Sequence, residues 1–240
     1  MSRGRKQAVS LGVTILLGVA AGLAWADPAT DAHNEGTRLL NAGQLREAIA
    51  YFDRAIRLNP RYDKAYYNRG ISYQDLGQLE RAIQDYTETI RFNPQDASAY
   101  NNRAKNHNDL GQHQRAIQDC NEALRLNPRH TGAYVNRGVA RRETRDLTGA
   151  IADFDKAIEI NARFAWAYGY RGLTRLLQGK DTEAEKDFAK CFELDPGLRQ
   201  AFEPKIKEAK AKRARKPDGR PGDEPALRPQ ELLEKGLKGQ

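Results

Sequence analysis

The residues of this sequence that could form a binding site are asparagines repeated at a fixed interval. Asn34, Asn68, Asn102 and Asn136 are each separated from the next by 34 residues. A side-chain amide carries a donor and an acceptor, so it can pair with the N–H and C=O groups of an extended peptide without reading its sequence. One amide per repeating unit would form a ladder along a bound peptide.

A second candidate is a cysteine and histidine pair. Cys120 and His107 could act as a nucleophile and its base. The alternative is that His107 replaces a tyrosine and Cys120 a phenylalanine in the interior of a repeat. The other cysteine, Cys191, lies two units further along, which is too far for a disulfide because that bond needs Cα atoms within about 7 Å. We therefore predict two reduced, buried thiols.

Motifs for other chemistry are missing from the sequence. It contains no GxxxxGK phosphate loop, no GxGxxG, no GxSxG and no SxxK motif. Its two cysteines and four histidines have no spacing typical of a metal site. The sequence therefore predicts no catalytic site, no cofactor and no metal.

The same 34-residue interval governs the residues that must position the asparagines. Two further series keep it: Ala48, Ala82, Ala116, Ala150 and Ala184, and Phe52, Tyr86, Cys120, Phe154 and Phe188. Within one unit, Leu45, Ala48, Ile49 and Phe52 follow the spacing of an amphipathic helix. Glycine falls between the two halves of most units, and Asn-Pro or Asp-Pro ends most of them. Each unit is thus predicted to be a helix hairpin that buries its apolar face by stacking on its neighbours.

This pattern resembles the tetratricopeptide repeat. The resemblance covers five units, at residues 29–62, 63–96, 97–130, 131–164 and 165–198. It implies an all-α solenoid, and we expect residues 199–216 to form a basic capping helix. The sequence departs from the family pattern at Ala162, which replaces a proline, at Thr144-Arg145, which replaces Leu-Gly, and at Ala32, which replaces a tyrosine.

The resemblance also implies which surface binds a partner. In this family, a stripe on the first helix of each unit lines the concave surface, and it includes the position of the asparagines. On this basis the predicted peptide-binding residues are Asn34, Asn68, Asn102, Asn136, Lys64, Lys105, Asp109, Arg142 and Tyr170. The structural alternative is that Asn is a common choice of the family at this position whatever the ligand. Tyr170, with Trp166 and Leu173, either seats a ligand side chain or packs under the capping helix.

An arginine and an aspartate recur together in four units. The arginines are Arg69, Arg103, Arg137 and Arg171, and the aspartates are Asp85, Asp119, Asp153 and Asp187. We expect one ion pair between the two helices of each hairpin, with a structural role.

The amino-terminal segment predicts export. A basic stretch within residues 1–6 is followed by uncharged, mostly apolar residues 8–24 and by Ala24-Trp25-Ala26, which is the order of a secretory signal peptide. The alternative is a membrane anchor at residues 8–24. Either outcome places the rest of the chain on the far side of the membrane, which is the periplasm if the source is a Gram-negative bacterium.

The net charge of +8 is concentrated at the two ends of the chain. Residues 1–26 carry three basic residues, residues 199–240 carry 12 basic and 7 acidic residues, and residues 27–198 carry 25 of each. Residues 205–216 contain seven basic residues and one glutamate. They predict either a solvated helix face or attachment to an anionic membrane surface or envelope polymer. Residues 217–240 have the composition of a disordered tail, and nucleic acid is not a predicted partner.

These observations predict a non-enzymatic adaptor or scaffold in the cell envelope that binds a protein or peptide. Two alternatives stay open. One is an enzyme accessory or thiol enzyme that uses Cys120 and His107, and the other is a structural solenoid that self-associates.

Overall fold

The computed structural model describes residues 27–214 of the 240-residue chain. This region contains eleven α-helices and no strand, so the predicted all-α solenoid is confirmed. The helices are α1 (Pro28–Asn41), α2 (Leu45–Leu58), α3 (Asp63–Asp75), α4 (Leu79–Phe92), α5 (Ala97–Asp109), α6 (His113–Leu126), α7 (Thr131–Glu143), α8 (Leu147–Ile160), α9 (Ala165–Leu177), α10 (Asp181–Leu194) and α11 (Leu198–Ala214). The predicted export segment and the predicted tail lie outside the described residues. None of the described helices has the length and apolar character needed to cross a membrane.

Turn chemistry separates the two helices of each hairpin. Four turns place a glycine in the left-handed region, at Gly43, Gly77, Gly111 and Gly179, with φ between 72° and 79°. The fourth unit has Arg145 there instead, with φ of 69°. A side chain at such a φ costs about 1–2 kcal/mol, because Cβ approaches a carbonyl oxygen. The backbone of this turn therefore keeps the geometry of the others at an energetic cost.

Small residues on the first helix make room for large residues on the second. A Cβ added to Gly138 would lie 2.6 Å from the ring of Phe154, and one added to Gly36 would lie 2.7 Å from the ring of Phe52. The third unit has alanine at this position, Ala104, and the much smaller Cys120 opposite it. The volumes of the two positions thus compensate each other within each hairpin.

The predicted Arg–Asp ion pairs are present, and they extend further than the sequence indicated. Arg137 donates from Nε and Nη2 to Asp153 of its own hairpin, and from Nη1 to Asn121 of the preceding hairpin. Arg171 makes the same contacts with Asp187 and with Asp155 of the preceding hairpin. Each arginine therefore joins two helices of one unit and also joins that unit to the one before it.

The first helices of successive hairpins lie close together. α1 contacts α3, α5 contacts α7, and α7 contacts α9, whereas the second helices of the described hairpins make no contacts of comparable extent with one another. An array curves toward the side on which its elements are more closely spaced, so the first helices line the concave surface. The last helix, α11, contacts α9 more extensively than it contacts α10, and it therefore leans over the first-helix side.

Candidate functional site

The asparagine stripe runs along the first helices and is partly engaged by neighbouring units. Nδ2 of Asn68 donates to Nε2 of His33 at 3.0 Å and to Oγ1 of Thr37 at 3.2 Å. Burial lowers the pKa of His33, which favours the neutral ring that this acceptor role requires. The Asn68 donors are thus directed to the preceding helix rather than to the open surface.

The next two asparagines repeat this arrangement with different acceptors. Nδ2 of Asn102 donates to the hydroxyl of Tyr67 at 3.0 Å, and Nδ2 of Asn136 donates to Oδ1 of Asn101 at 2.9 Å. His33, Tyr67 and Asn101 occupy the same position of three successive units, one residue before the stripe. Asn34 is exposed on α1, and no earlier helix of the described region is present to accept from it.

The amide oxygens are the part of the stripe that a ligand can use. The hydrogen bonds within residues 27–214 leave Oδ1 of Asn68 and Oδ1 of Asn136 without a donor, while Oδ1 of Asn102 accepts from Nδ2 of Asn101 at 3.2 Å. A carbonyl oxygen accepts from N–H groups, which every non-proline residue of a peptide backbone supplies. The stripe is therefore better suited to accept from a peptide backbone than to donate to it.

The charged residues predicted beside the stripe are accessible. Lys64 on α3 and Lys105 and Asp109 on α5 are exposed, and none of the three forms an ion pair in the part of the chain that the structure describes. Their charges are therefore available to a partner on the concave surface.

The carboxy-terminal end of the stripe is aromatic and is covered by α11. Tyr170 stacks on Trp166 with ring centroids 5.9 Å apart, and Phe202 of α11 contacts both rings. Gly169 allows this approach, since a Cβ there would lie 2.3 Å from Phe202. Of the two roles considered for Tyr170, packing under the capping helix is the one that the structure shows. Trp166 keeps 37% of its surface exposed.

Arg142 lies beside this aromatic end. Its guanidinium carbon lies 5.4 Å from the centre of the Tyr170 ring, and Nε and Nη2 donate to Glu143. Nη1 is buried and has no hydrogen-bond partner among the described residues. The sequence placed Arg142 and Tyr170 separately in the site, and the structure brings them into contact.

The two cysteines are buried and reduced, as predicted. Cys120 packs among Ala104, Ala116 and Ala140, and burial raises the pKa of its thiol above the usual range. Burial also raises the pKa of Cys191, to about 11. In the described region no hydrogen bond joins His107 to Cys120: Nδ1 of His107 pairs with Gln112 at 2.8 Å, and its Nε2 lies 3.8 Å from Asp119. This arrangement does not supply the base contact that an activated thiolate needs.

We expect both thiols of the native chain to resist alkylation. At pH 8 each thiol is protonated and shielded, so iodoacetamide should modify less than about a tenth of either cysteine in the time that fully labels the urea-unfolded chain. Intact-mass measurement gives the labelled fraction. Rapid labelling of Cys120 in the folded chain would instead support the thiol-enzyme alternative.

Some site residues were missed by sequence reasoning. The acceptors His33, Tyr67 and Asn101 precede the stripe by one residue, and only the recurrence of a side chain with an acceptor at that position could have indicated them. Residues 27–214 contain no group of three or more His, Cys, Asp and Glu side chains that could hold a metal ion.

Comparison with known sequences identifies one family. The model of the tetratricopeptide repeat matches residues 33–97, 67–129 and 101–166, which together exceed half of the chain. No curated protein shows significant sequence similarity to the chain.

Solved structures with the same fold extend over most of the described region. MamA from Desulfovibrio magneticus RS-1 is similar over 72% of this chain and 98% of its own, with 21% identity and a TM-score of 0.65. YrrB, described as a TPR protein with an unusual peptide-binding site, is similar over 75% and 92%, with 21% identity and a TM-score of 0.60. A thermophilic TPR protein from Thermus thermophilus, TTC0263, is similar over 75% and 98%, with 20% identity and a TM-score of 0.61. At this level of identity the similarity demonstrates a shared fold.

Proposed function

The chain belongs to the tetratricopeptide repeat family, and we propose that it is an adaptor or scaffold that holds an extended peptide segment of a protein partner on its concave surface. Family membership supports protein–protein interaction as the general function. The observation that carries the finer proposal is the row of amide oxygens on the first helices, whose N–H groups are turned toward the preceding unit. YrrB, with the same fold, is described as having a peptide-binding site, which agrees with this role.

The proposed binding mode depends on backbone contacts along the stripe. Oδ1 of Asn68 and Oδ1 of Asn136 would accept from backbone N–H groups of the partner, and the exposed Lys64, Lys105 and Asp109 would set a preference for side-chain charge. The N–H groups of the amides donate to acceptors within the chain, so the amide oxygens are oriented before the partner arrives, which lowers the entropic cost of binding. Asn34 extends the row at its amino-terminal end.

The proposed location is the cell envelope, on the far side of a membrane. The support is the order of charged, apolar and small residues in residues 1–26, together with the absence of a basic residue between Lys6 and Arg38. The seven basic residues of residues 205–216 support an additional attachment to an anionic membrane surface or envelope polymer, which salt should weaken.

Removal of the three central amides tests the peptide-binding role. We expect Asn68→Ala/Asn102→Ala/Asn136→Ala to weaken the binding of a peptide, selected by display against the full chain, by about 30-fold, since Oδ1 of Asn68 and Oδ1 of Asn136 would each lose a hydrogen bond worth about 1 kcal/mol. Fluorescence polarisation measures the affinity. N-methylation of the peptide backbone should weaken binding to the unchanged chain, because it removes the N–H groups that the amide oxygens accept.

The control variant removes three exposed amides on second helices, Gln84→Ala/Gln114→Ala/Gln118→Ala. It should bind the peptide as the unchanged chain does. Circular dichroism establishes that both triple variants stay folded, and the single variant Asn136→Ala is used if the first does not. A folded stripe variant with unchanged affinity would refute the proposed mode.

A further inference from the structure

A cavity lies at the carboxy-terminal end of the concave surface, between α7, α9 and α11. Its volume is about 310 Å³, near the lower end of the range of about 300–1,000 Å³ for ligand pockets. Leu173 and Leu177 of α9 and Ala209 of α11 form an apolar wall. Leu173 and Leu177 occupy the stripe positions that Lys105 and Asp109 occupy two units earlier, so the cavity continues the concave binding surface.

The rest of the lining is predominantly cationic. Arg142 of α7, Arg145 of the following turn and Lys205 of α11 line the cavity together with Glu143 and Glu208. Glu143 is engaged by Arg142. Neither Arg145 nor Lys205 forms an ion pair within residues 27–214, so both charges remain for a ligand. With three cations and two carboxylates in its lining, the cavity combines an apolar wall with a net positive charge.

Two features indicate that these cations have a role in binding a ligand. Nη1 of Arg142 is buried without a partner among the described residues, although buried donors are normally hydrogen-bonded. Arg145 stands at the turn position where the other four units have glycine, and it is the non-glycine residue with positive φ among those described. Strain of this kind persists where it serves a function. The unpaired donor of Arg142 and the positive φ of Arg145 therefore occur in residues that line the same cavity.

We propose that this cavity binds a peptide residue that places a carboxylate next to a large apolar side chain. The apolar side chain would pack on Leu173 and Leu177, and the carboxylate would pair with the exposed cations Arg145 and Lys205, beside Arg142. This inference rests on the proposed peptide-binding function and assigns the chemistry of one end of the bound segment. The carboxylate belongs either to a chain terminus or to an acidic side chain beside the apolar one.

Three labelled octapeptides of glycine and serine distinguish these sources. The first ends in leucine with a free carboxyl group, the second ends in leucine amide, and the third ends in glutamate followed by leucine amide. In fluorescence polarisation with the full chain, we expect the first or the third to bind about tenfold more tightly than the second, as one charge-assisted hydrogen bond provides. The tighter of the two identifies the source of the carboxylate.

The variant Arg145→Gly separates a binding role from a structural one. It should reduce the advantage of the carboxylate probe to within about twofold. Its thermal unfolding midpoint should stay the same or rise, because glycine relieves the positive φ. Lys205→Gln, on the exposed face of α11, should also weaken binding of the carboxylate probe. Arg163→Gln removes an exposed charge outside the cavity and should leave that binding unchanged.

The proposal is overturned if neither carboxylate probe binds better than the neutral one, or if Arg163→Gln weakens binding as much as Arg145→Gly does. Retained, asparagine-dependent binding of the display-selected peptide in the same experiment would show that the concave-surface function survives the failure of the cavity assignment. Loss of that dependence would count against the proposed function itself.

Discussion

The variant Asp153→Ala is expected to lower the free energy of unfolding by about 3 kcal/mol, because it removes the partner of two buried or half-buried arginines. The Asp153 side chain is 4% exposed and accepts from Nε and Nη2 of Arg137 and from Nη1 of Arg141 at 2.8 Å. Burial acts to lower the pKa of Arg137, and the Asp153 carboxylate outweighs this and raises it. Without that carboxylate, the buried positive charge of Arg137 has no negative charge beside it.

The expected loss is at the lower end of the range for buried ion pairs. Arg137 keeps its bond to Oδ1 of Asn121 at 2.8 Å, and Arg141 stays within 3.7 Å of the carboxylate of Asp146. Urea unfolding followed by circular dichroism measures the change. Because each hairpin contacts mainly its neighbours, loss of one pair in the fourth unit is expected to broaden the transition as well as to shift it.

Asp155→Ala, two residues along the same helix, is the matched control. Asp155 is 51% exposed and contacts Arg171, which keeps its two bonds to Asp187 when Asp155 is removed. An exposed pair of this kind contributes at most about 1 kcal/mol. Equal shifts of the unfolding midpoint for the two variants would contradict the assignment of Asp153 as the centre of a buried network.

Sequence periodicity predicted the helix hairpins and the Arg–Asp pairs because both depend on local spacing. The residues that join the two helices of one unit, such as Arg137 and Asp153, are 16 residues apart, and this separation is the same in each of the four units that carry the pair. The second contact of Arg137, with Asn121, was not predicted, since it depends on the rotation between neighbouring units. That rotation is set by the packing of whole helix faces rather than by residue type.

The sequence predicted where the candidate site lies, but only part of the hydrogen bonding within it. The register placed Asn68 and Asn136 on the concave face, but it did not indicate which half of each amide would be occupied by His33 or Asn101. The cavity was not predicted, because it depends on how α11 leans over α9. Gly169 is the local residue that permits this approach, and its role is recognised only when the ring that packs against it is seen.

Because the two helices of a hairpin compensate each other in volume, we expect the effect of Gly138→Ala on stability to change sign with the residue at position 154. Gly138→Ala should destabilise the unchanged chain by about 1–2 kcal/mol, since its Cβ would overlap the ring of Phe154 and the overpacking exceeds the gain of about 1 kcal/mol in helix propensity. Phe154→Cys should destabilise it by about 3 kcal/mol through the cavity that it leaves.

In the Phe154→Cys background the same Gly138→Ala change should stabilise, by about 1 kcal/mol, because the ring is gone and the helix propensity of alanine remains. The double variant recreates the Ala104 and Cys120 pair that the third unit already contains. Urea unfolding of the four chains gives the coupling energy, which we expect to exceed about 1.5 kcal/mol. Equal effects of Gly138→Ala in both backgrounds would show that the two positions do not share a volume constraint, and that the third unit tolerates Cys120 for another reason.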